Sequence, residues 1–510
     1  MIELFFIFNL LFNSYFISFV FLSLLFYLYL TSTFNYWSVR GISYKKPTII
    51  VGNFFDSLLF RKSLPEVMEE MYNWFDSPFF GVFRVRTPIL IIRDPELIKS
   101  VLVKDFKYFV NRGIPTNSQD PLSCHLFNLE GYKWRNLRSK LTPVFTAGKI
   151  KKMVILLQEC SGIFEKLINE ASISNAPVDV RELAVNFMID VIGSCAFGIQ
   201  INALTEKESE FHRAARKISK PGFKSQLWRM LRTSIPQVYK FLGTQITDPN
   251  VTKFFQDVVK QMVALRESDD SQQRRNDFMD LLVELKCKNQ SNRHSDQDNI
   301  ELDENMIAAQ AYVFFVAGYE TSSNTIAFCL YELGINIEIQ KKVKAEIALV
   351  MQKHKELTYE SIQKMTYLEK VILETLRKYP PGAMISRKCE ETYEIPGTIL
   401  RIPAGMRVMI PVYGIHHDPN YYPEPDKFNP DRFDDNNIQN SYTFLPFGEG
   451  PRGCIGMRFA MLSMKFGLIS FLKNHRVELS DKTTNPIKFS VRSMVTTSEN
   501  GLWLNIHRDN

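Results

Sequence analysis

Cysteine is scarce in this chain, and its pattern excludes a disulfide scaffold. Seven cysteines are scattered over 510 residues, an odd number, with no C-x-x-C pair and no zinc-like spacing to histidine. Such a pattern is typical of reduced thiols in the cytosol. Glycine and proline number only 23 and 24, which excludes collagen and low-complexity chains.

A surplus of charge of one sign is nearly absent as well. The chain has 62 lysines and arginines against 55 acidic residues, and a net charge of +7 is too small over this length to indicate nucleic-acid binding. With 45% hydrophobic and 23% charged residues, the chain is neither disordered nor a polytopic membrane protein. Length alone favours about three domains of roughly 150 residues, but without repeats or long linkers we predict one large domain.

The amino terminus lacks charge altogether between residues 4 and 30. This apolar run exceeds the about 20 residues that a membrane-spanning helix requires. A cleaved signal peptide has a shorter apolar core after a basic start, and a mitochondrial leader is rich in arginine. Glu3 precedes the run and three basic residues follow it: Arg40, Lys45 and Lys46. The positive-inside rule therefore predicts a single anchor whose downstream chain faces the cytosol.

Most of the remaining chain has helical periodicity. Phe83–Asp94 is rich in β-branched residues about Thr87–Pro88 and predicts a hairpin, followed by a helix from Pro95. A long, largely apolar helix is predicted over Met306–Leu333. The stretch Lys286–Asn305 is rich in Asn, Ser, Asp and Gln, which predicts a solvated loop without a function of its own.

One glycine-rich segment invites two interpretations. Gly448, Gly450 and Gly453 match G-x-G-x-x-G between an apolar run and a helical run, as a dinucleotide-binding turn would. Only 54 residues follow Gly456, however, which is too short for two βαβ halves, and no acidic residue lies about 20 positions beyond Gly453. We therefore reject the dinucleotide site.

The better interpretation takes Cys454, in the same segment, as the functional residue. A thiolate that ligates iron needs backbone N–H donors and surroundings that exclude bulk water. Glycines on both sides let the chain wrap the sulfur, Phe447 would shield it, and Arg452 is placed to reach a propionate carboxylate. A structural cysteine in a glycine turn is the alternative.

The pattern F-x-x-G-x-R-x-C-x-G, filled by Phe447, Gly450, Arg452, Cys454 and Gly456, resembles the haem-ligand loop of the cytochrome P450 family. The resemblance covers essentially the whole chain. It is nearest to the microsomal branch that contains insect detoxification enzymes and vertebrate drug-oxidising enzymes.

This resemblance implies a mainly α fold with small β-sheets, the cytochrome P450 fold, and haem b (iron protoporphyrin IX) as cofactor. We expect a single haem-thiolate catalytic domain over residues 51–510, behind a transmembrane signal anchor over residues 1–30 and a linker over residues 31–50. The expected location is the endoplasmic reticulum membrane, with one span and the catalytic domain facing the cytosol.

A second helix carries a charged pair. Met365–Pro380 has apolar positions at helical spacing, with Thr366 and Glu369 as a predicted capping box and Pro380 as a stop. Glu374 and Arg377 share one face of it, and an isolated pair of this kind is ordinarily a weak surface ion pair. Here they resemble the E-x-x-R of the family, whose partner would be Arg432 of Pro430–Phe433. We assign these three residues a structural role beneath the haem.

The long helix contains Ala317-Gly318-Tyr319-Glu320-Thr321, which resembles the A-G-x-E-T of the family. Glycine inside a helix costs about 1 kcal/mol relative to alanine, so its presence needs a reason. Thr321 can bond the carbonyl of Ala317 or release it, which loosens the helix where oxygen and water would sit. The resemblance makes Thr321 and Glu320 the catalytic pair that handles protons. A satisfied core threonine is the alternative.

Further cations would hold the haem propionates, because unpaired buried carboxylates are costly. Trp134 and Arg138 resemble the W-x-x-x-R of the family, and Arg387 fits its arginine beyond the P-P turn. Arg112 is a further candidate. His416 either lies near a propionate or belongs to an ordinary surface pair with His417.

Substrate contacts are expected from small or apolar residues on three segments. They are Val313, Val316 and Ala317 with Thr321 on the long helix; Gly382, Ala383 and Ile385 after the P-P turn; and Val495 and Thr496 near the carboxyl terminus. This lining predicts a lipophilic small-molecule substrate, used together with O2.

No NADPH or flavin motif is present in the sequence, so electrons would come from a partner. NADPH–cytochrome P450 reductase at the membrane is the expected donor, docking on the cysteine side, with cytochrome b5 as a second candidate. The expected activity is insertion of one oxygen atom from O2. A lipid-peroxide isomerase or dehydratase of the same fold and a non-catalytic haem-binding sensor remain as alternatives.

Overall fold

One long helix runs through the hydrophobic core, and the other elements pack around it. In this computed structural model the described residues are 2–509 apart from positions 118, 175, 207–208, 220–221, 269–276, 292–301, 355, 399, 435–437 and 439–440. The helices are α1 (Ile2–Thr31), α2 (Phe55–Leu58), α3 (Leu64–Tyr72), α4 (Pro95–Lys99), α5 (Gly131–Leu141), α6 (Ala147–Lys152), α7 (Val154–Ile173), α8 (Val180–Ile192), α9 (Glu210–Ser219), α10 (Phe223–Ser234), α11 (Pro236–Leu242), α12 (Pro249–Ser268), α13 (Phe278–Ser291), α14 (Glu304–Ile335), α15 (Ile337–Lys353), α16 (Tyr359–Gln363), α17 (Thr366–Lys378), α18 (Val412–His416) and α19 (Met457–Leu472).

The strands form three small sheets. They are β1 (Phe79–Arg84), β2 (Thr87–Ile92), β3 (Val178–Asp179), β4 (Ile385–Lys388), β5 (Tyr393–Glu394), β6 (Arg401–Ile402), β7 (Arg407–Ile410), β8 (His475–Leu479) and β9 (Trp503–Arg508). The largest sheet has the order β1-β2-β7-β4, with β2 and β7 parallel. The other sheets are β3-β9-β8 and β5-β6.

The central helix α14 begins two residues before the predicted start and ends two residues beyond the predicted end, so this prediction is confirmed. The side chain of Asp303 accepts a hydrogen bond from Met306 N at 2.7 Å and caps its amino terminus. Its second half is almost wholly buried, and α8, α17 and α19 pack around it. The helix therefore forms a fixed wall through the hydrophobic core.

The predicted hairpin is confirmed, but its turn lies at Val85 and Arg86 and not at Thr87–Pro88. Arg84 pairs with Thr87 and Phe83 pairs with Pro88. Pro88 is tolerated in β2 because the pairing of β2 with β7 begins only at Ile89, so its missing N–H costs no bond on that side. The helix predicted from Pro95 is present as α4.

Two local predictions were wrong. No capping box forms at Thr366 and Glu369, because the carboxylate of Glu346 on α15 accepts the N–H groups of Tyr367 and Leu368, each at 2.8 Å. The predicted loop at Lys286–Asn305 is helical at both ends, since α13 extends to Ser291 and α14 begins at Glu304. Positions 292–301 lie outside the described residues.

Candidate active site

The loop before α19 holds Cys454 in a tight wrap of backbone. Cys454 N donates to Phe447 O at 2.8 Å, and Gly453 N donates to Gly450 O at 2.9 Å. Gly450 has φ +70, and a Cβ there would collide with the carbonyl of Leu102, so only glycine fits. The loop thus holds the sulfur just before the positive end of a 16-residue helix, where a thiolate is favoured.

The facing wall is the middle of α14. Thr321 Oγ1 donates to Ala317 O at 2.7 Å, which is the hydrogen bond predicted from the sequence. One turn later, Thr325 Oγ1 donates to Thr321 O at 2.9 Å. A Cβ at Gly318 would collide with Ile192 of α8, so this mid-helix glycine permits close packing of the two helices. Consecutive hydroxyl bonds of this kind weaken the backbone ladder at this point of the helix.

A cavity of about 600 Å³ joins the two walls. Cys454, Thr321 and Phe447 all line it, and most of its surface is apolar. Other predicted substrate contacts lie on this lining: Val313, Ala317, Gly382, Ala383, Ile385 and Val495. The sulfur of Cys454 and the turn of α14 at Thr321 therefore face the same apolar cavity.

Two predicted substrate contacts do not line the cavity. Val316 packs into the hydrophobic core behind the α14 wall. Thr496 is buried and donates from its backbone N–H to Pro381 O and from its hydroxyl to Pro380 O. Thr496 therefore ties the carboxyl-terminal loop to the P-P turn and leaves its neighbour Val495 to face the cavity.

Several phenylalanines that sequence reasoning missed also line the cavity. Phe127, Phe145, Phe278 and Phe314 come from four separate segments. The rings of Phe145 and Phe314 stack at 5.5 Å between centroids, and Phe278 meets Phe314 edge-on at 4.1 Å. Their one signal in the sequence is the high phenylalanine content, 40 residues, which cannot show which rings converge.

Four arginines converge on the cavity, as the sequence predicted: Arg112, Arg138, Arg387 and Arg452. No carboxylate occurs among the described lining residues. The Arg452 guanidinium lies 3.9 Å from the ring centroid of Trp134, which also lines the cavity. It donates to the carbonyls of Val110 at 2.8 Å and Leu129 at 2.7 Å. Arg452 therefore holds the surrounding backbone through hydrogen bonds and also contributes a positive charge to the cavity.

The electrostatics of this cluster favour an anion. Burial lowers the pKa of Arg452 to about 9 and that of Arg387 to about 10. The pKa of Arg112 falls well below its usual value, first through burial and then through the other arginines. Arg387 is 2% exposed, and within the described part of the chain its Nε has no hydrogen-bond partner. A buried, unpartnered donor beside other cations fits a ligand carboxylate.

The thiol of Cys454 is poised for metal ligation. Burial raises its pKa, whereas the N–H of Gly456 and the charges of Arg138 and Arg112 lower it. Because metal binding requires the thiolate, a cationic iron would release its proton. One sulfur and four arginines around an apolar cavity are the residues that a haem needs, an axial ligand and partners for two propionates. The residues present fit the group.

The Glu374–Arg377 pair is completely buried, and its predicted partner Arg432 joins it. Arg377 Nε donates to Glu374 Oε2 at 2.8 Å, and Arg432 Nε lies 3.4 Å from Glu374 Oε1. The N–H of Asn429 donates to Glu374 Oε1 at 2.9 Å, and Arg377 donates to the carbonyl of Pro425 at 2.7 Å. These bonds hold an irregular segment of the chain against α17.

The interpretation of His416 as part of an ordinary surface pair was wrong, and the structure does not place it among the arginines of the cavity. It is fully buried and lies outside the described cavity lining. Its Nε2 accepts the N–H of Leu445 at 2.9 Å, so its Nδ1 donates to Arg377 O at 3.0 Å. Burial lowers its pKa to about 3. His416 links α17 to the start of the Cys454 loop.

Glu320 is buried on another face of α14 from Thr321, outside the described cavity lining. Successive helical residues point about 100° apart. Burial raises the pKa of Glu320, while Arg181, a hydrogen bond with Ser219 and Arg229 lower it. The carboxyl is therefore held towards α8 and α9, and it reaches Thr321 only through an intermediary.

A mainly helical fold with a glycine-wrapped cysteine and an arginine cluster around one apolar cavity defines a cysteine-ligated haem enzyme. Residues 43–505 match the family model Cytochrome P450. The relatives include probable cytochrome P450 6a14 of Drosophila melanogaster, 37% identical over 490 residues that cover 93% of this chain and 96% of the relative. Cytochrome P450 6a2 of the same fly is 39% identical over 499 residues, covering 95% and 97%. Cytochrome P450 6j1 of Blattella germanica is 37% identical over 490 residues, covering 95% of each.

The chain therefore belongs to the cytochrome P450 family and is a cytochrome P450 monooxygenase. Members of this family bind haem b through a cysteine thiolate and use O2, a small-molecule substrate and a redox partner. The amino-terminal helix α1 is long and apolar enough over Ser14–Thr31 to serve as a membrane anchor.

Proposed function

We propose that this enzyme inserts one oxygen atom from O2 into a lipophilic substrate, with electrons that pass from NADPH through NADPH–cytochrome P450 reductase. The observation that carries the proposal is the apolar cavity that has Cys454 on one side and Thr321 on the other. The other oxygen atom leaves as water, which requires protons to be delivered into a mostly apolar cavity.

The residues of this chain have separate roles in the proposed reaction. Haem bound through Cys454 supplies the activation of O2, favoured by electron density from the thiolate. Arg387, Arg112 and Arg138 hold its propionates, while Arg452 fixes the surrounding backbone. Thr321 moves its hydroxyl proton between Ala317 O and the cavity, and Glu320 resupplies that proton through water.

The electron donor is expected to dock beside the Cys454 loop. Exposed basic side chains lie on the helices that flank this loop, among them Lys133 and Arg135 on α5 and Arg458 on α19. An acidic partner surface would complement them, so electron transfer would slow as the salt concentration rises. Cytochrome b5 is a second donor that this surface would accept.

The substrate proposal rests on the lining. Phenylalanines and aliphatic residues make up much of the cavity lining, and its charged side chains are the four arginines that would hold the propionates. A neutral, lipophilic molecule is buried there without leaving an unpaired charge.

The location proposed is the endoplasmic reticulum membrane, with one span and a cytosolic catalytic domain. Three basic residues follow α1 and only Glu3 precedes its apolar run. Phe241 and Leu242, at the end of α11, are exposed apolar residues that add a second membrane contact. Deletion of residues 1–30 should release most of the protein from membranes. Protease outside sealed microsomes should digest the catalytic domain, and full protection would contradict the orientation.

The deciding experiment for the activity uses purified reductase, NADPH, isotopically labelled O2 and a panel of lipophilic compounds. A monooxygenase consumes NADPH and places label in the product. An isomerase or dehydratase acts on a peroxide without NADPH, and a sensor shows no product, so either result would overturn the proposal.

The ligand assignment has its own test in Cys454→Ser. Because a thiolate opposite carbon monoxide gives the red-shifted Soret band of this family, the reduced variant should lose that band. Survival of the band would remove Cys454 as the ligand. Cys329→Ser is the matched control, since Cys329 is buried away from the cavity and bonds Thr375.

A further inference from the structure

The last turn of α1 is bonded to the catalytic domain through one arginine of the β1–β2 turn. The Arg86 guanidinium lies 3.8 Å from the ring centroid of Tyr29. Arg86 Nη2 donates to Ser32 Oγ at 3.0 Å, and the carbonyl of Arg86 accepts a hydrogen bond from the hydroxyl of Thr33 at 2.5 Å. Both the side chain and the backbone of Arg86 therefore contact the end of the membrane helix.

The segment that follows α1 is docked and does not form a free tether. Trp37 is completely buried, and its Nε1 donates to Val82 O at 3.2 Å. Its indole lies over Gly81, where any Cβ would collide with the ring. Phe34 packs on Phe83 at 5.6 Å between centroids. The residues next to the membrane thus pack against β1 from the end of α1 onward.

The turn that presents Arg86 is strained. Val85 has φ +56, a conformation that β-branched residues rarely adopt and that a two-residue hairpin usually assigns to glycine or asparagine. The Val85 side chain is buried, and its N–H donates to Val51 O at 3.3 Å. Strain of this kind persists only where the surroundings over-determine the backbone, and here they fix the direction of Arg86.

The same sheet also carries the second apolar surface. Arg407 on β7 donates to Thr233 O at 3.2 Å, at the end of α10, and to Gly113 O at 2.7 Å. After Thr233 the chain continues into α11, where Phe241 is 89% exposed. The α10–α11 face consists of the exposed apolar residues Leu227, Ile235, Val238, Phe241 and Leu242. The sheet β1-β2-β7-β4 therefore connects α1 at one point and the apolar α10–α11 face at another.

We propose that Arg86 clamps the membrane anchor to the catalytic domain, so that the domain has one fixed orientation on the bilayer. The inference rests on the proposed role of α1 as an anchor. With the clamp closed, the sheet fixes the relation between α1 and the α10–α11 face, and both meet the lipid together. Without it, α1 swings about residues 31–33 while Trp37 keeps the following residues docked, and the domain samples many tilts.

The test uses the full-length holoenzyme in lipid nanodiscs. Hydrogen exchange of the amides at 31–36 reports the clamp, and linear dichroism of the haem band in oriented membranes reports the tilt of the domain. Arg86→Ala removes the clamp from the domain side, and Tyr29→Leu removes it from the anchor side without touching the catalytic core. Arg61→Ala is the matched control, because Arg61 also stacks on an aromatic ring, Phe55, at 4.9 Å, and none of the contacts described for it involves α1.

We expect exchange at 31–36 to rise roughly tenfold in Arg86→Ala and in Tyr29→Leu, with reduced dichroism and no change in Arg61→Ala. Unchanged exchange or unchanged dichroism in both variants would overturn the clamp. Co-flotation with vesicles tests the anchor separately. If the wild-type protein did not float with vesicles but the exchange differences between the variants remained, the membrane proposal alone would be overturned.

Discussion

His416 and Leu445 are joined by a 2.9 Å hydrogen bond in which the imidazole Nε2 accepts the backbone N–H. The other ring nitrogen donates to the carbonyl of Arg377, so one neutral imidazole connects the buried ion pair to the loop of Cys454. His416 therefore connects α17 to the segment that leads into the Cys454 loop.

The first prediction concerns this link. His416→Ala leaves the Leu445 N–H and the Arg377 carbonyl buried and unpaired, each at a cost of about 1–3 kcal/mol. Thermal stability and haem content should both fall. His417→Ala is the control, because His417 follows α18 and bonds only back to Tyr413 O of that helix among its described side-chain hydrogen bonds. Equal losses of thermal stability and haem content in the two variants would show that the hydrogen bond to Leu445 does not stabilise the haem site.

The same imidazole predicts a pH dependence of stability. The folded pKa of His416 is about 3, below its ordinary value of 6.5, so the unfolded chain binds the extra proton between these values. The free energy of unfolding contributed by His416 is fully present above pH 6.5 and is lost as the pH falls towards 3. Denaturant unfolding from pH 7 to pH 4 should show this decline, and His416→Gln should reduce its slope. An unchanged slope would contradict the assignment.

The ion cluster on α17 predicts a stability loss. Glu374→Ala leaves Arg377 buried without its partner, a loss of roughly 3–5 kcal/mol. Little holoprotein should accumulate in cells. Arg401→Ala breaks an exposed pair with Glu394 and should cost about 1 kcal/mol or less. Normal haem content and melting temperature in Glu374→Ala would refute the structural role.

The unpartnered donor of Arg387 predicts its contribution to haem retention. A charged hydrogen bond to a carboxylate contributes about 1.5–3 kcal/mol, so Arg387→Met should release haem to apomyoglobin roughly 10 to 100 times faster. Lys388→Met changes the neighbouring cation, which pairs with Glu390 away from the cavity lining, and should have no such effect. Similar release rates for both variants would remove Arg387 from the propionate site.

The hydroxyl of Thr321 predicts coupling between NADPH and product. Thr321→Ala should leave haem binding and electron uptake near normal, while product per NADPH falls and hydrogen peroxide rises. Glu320→Gln should slow turnover itself, since general acid–base groups contribute about 10²–10⁴-fold. Thr325→Ala is the control, because Thr325 lines the same cavity and its hydroxyl donates to Thr321 O, one turn further along α14 than Ala317 O. An unchanged ratio in Thr321→Ala would exclude Thr321 from the proton path.

Sequence reasoning located the parts of the site that are encoded over a few residues. The Cys454 loop, the Ala317–Thr321 hydrogen bond and the Glu374–Arg377 pair each depend on spacing along one loop or one helix, so their geometry follows from local backbone structure. In the structure Arg432 lies 3.4 Å from Glu374 of this pair, as the motif predicted.

The remaining features depend on contacts between distant segments. Glu346 caps α17 from a neighbouring helix, a role that a local capping rule cannot identify. His416 could be placed only by knowing where Leu445 lies. Val316 was predicted to face the cavity from its place on an apolar stripe, but a helix buried on nearly all sides has no single apolar face to read.

The phenylalanine wall has a consequence for how this enzyme can evolve. The ring of Phe314 stacks on Phe145 and meets Phe278 edge-on. The Cys454 loop is instead fixed by its own glycines, by Arg452 and, at Leu445, by His416. Exchanging one ring for a leucine alters the shape of the cavity without stranding a charge or loosening the cysteine. Substrate range can therefore drift, one aromatic residue at a time, while the oxidising machinery is inherited unchanged.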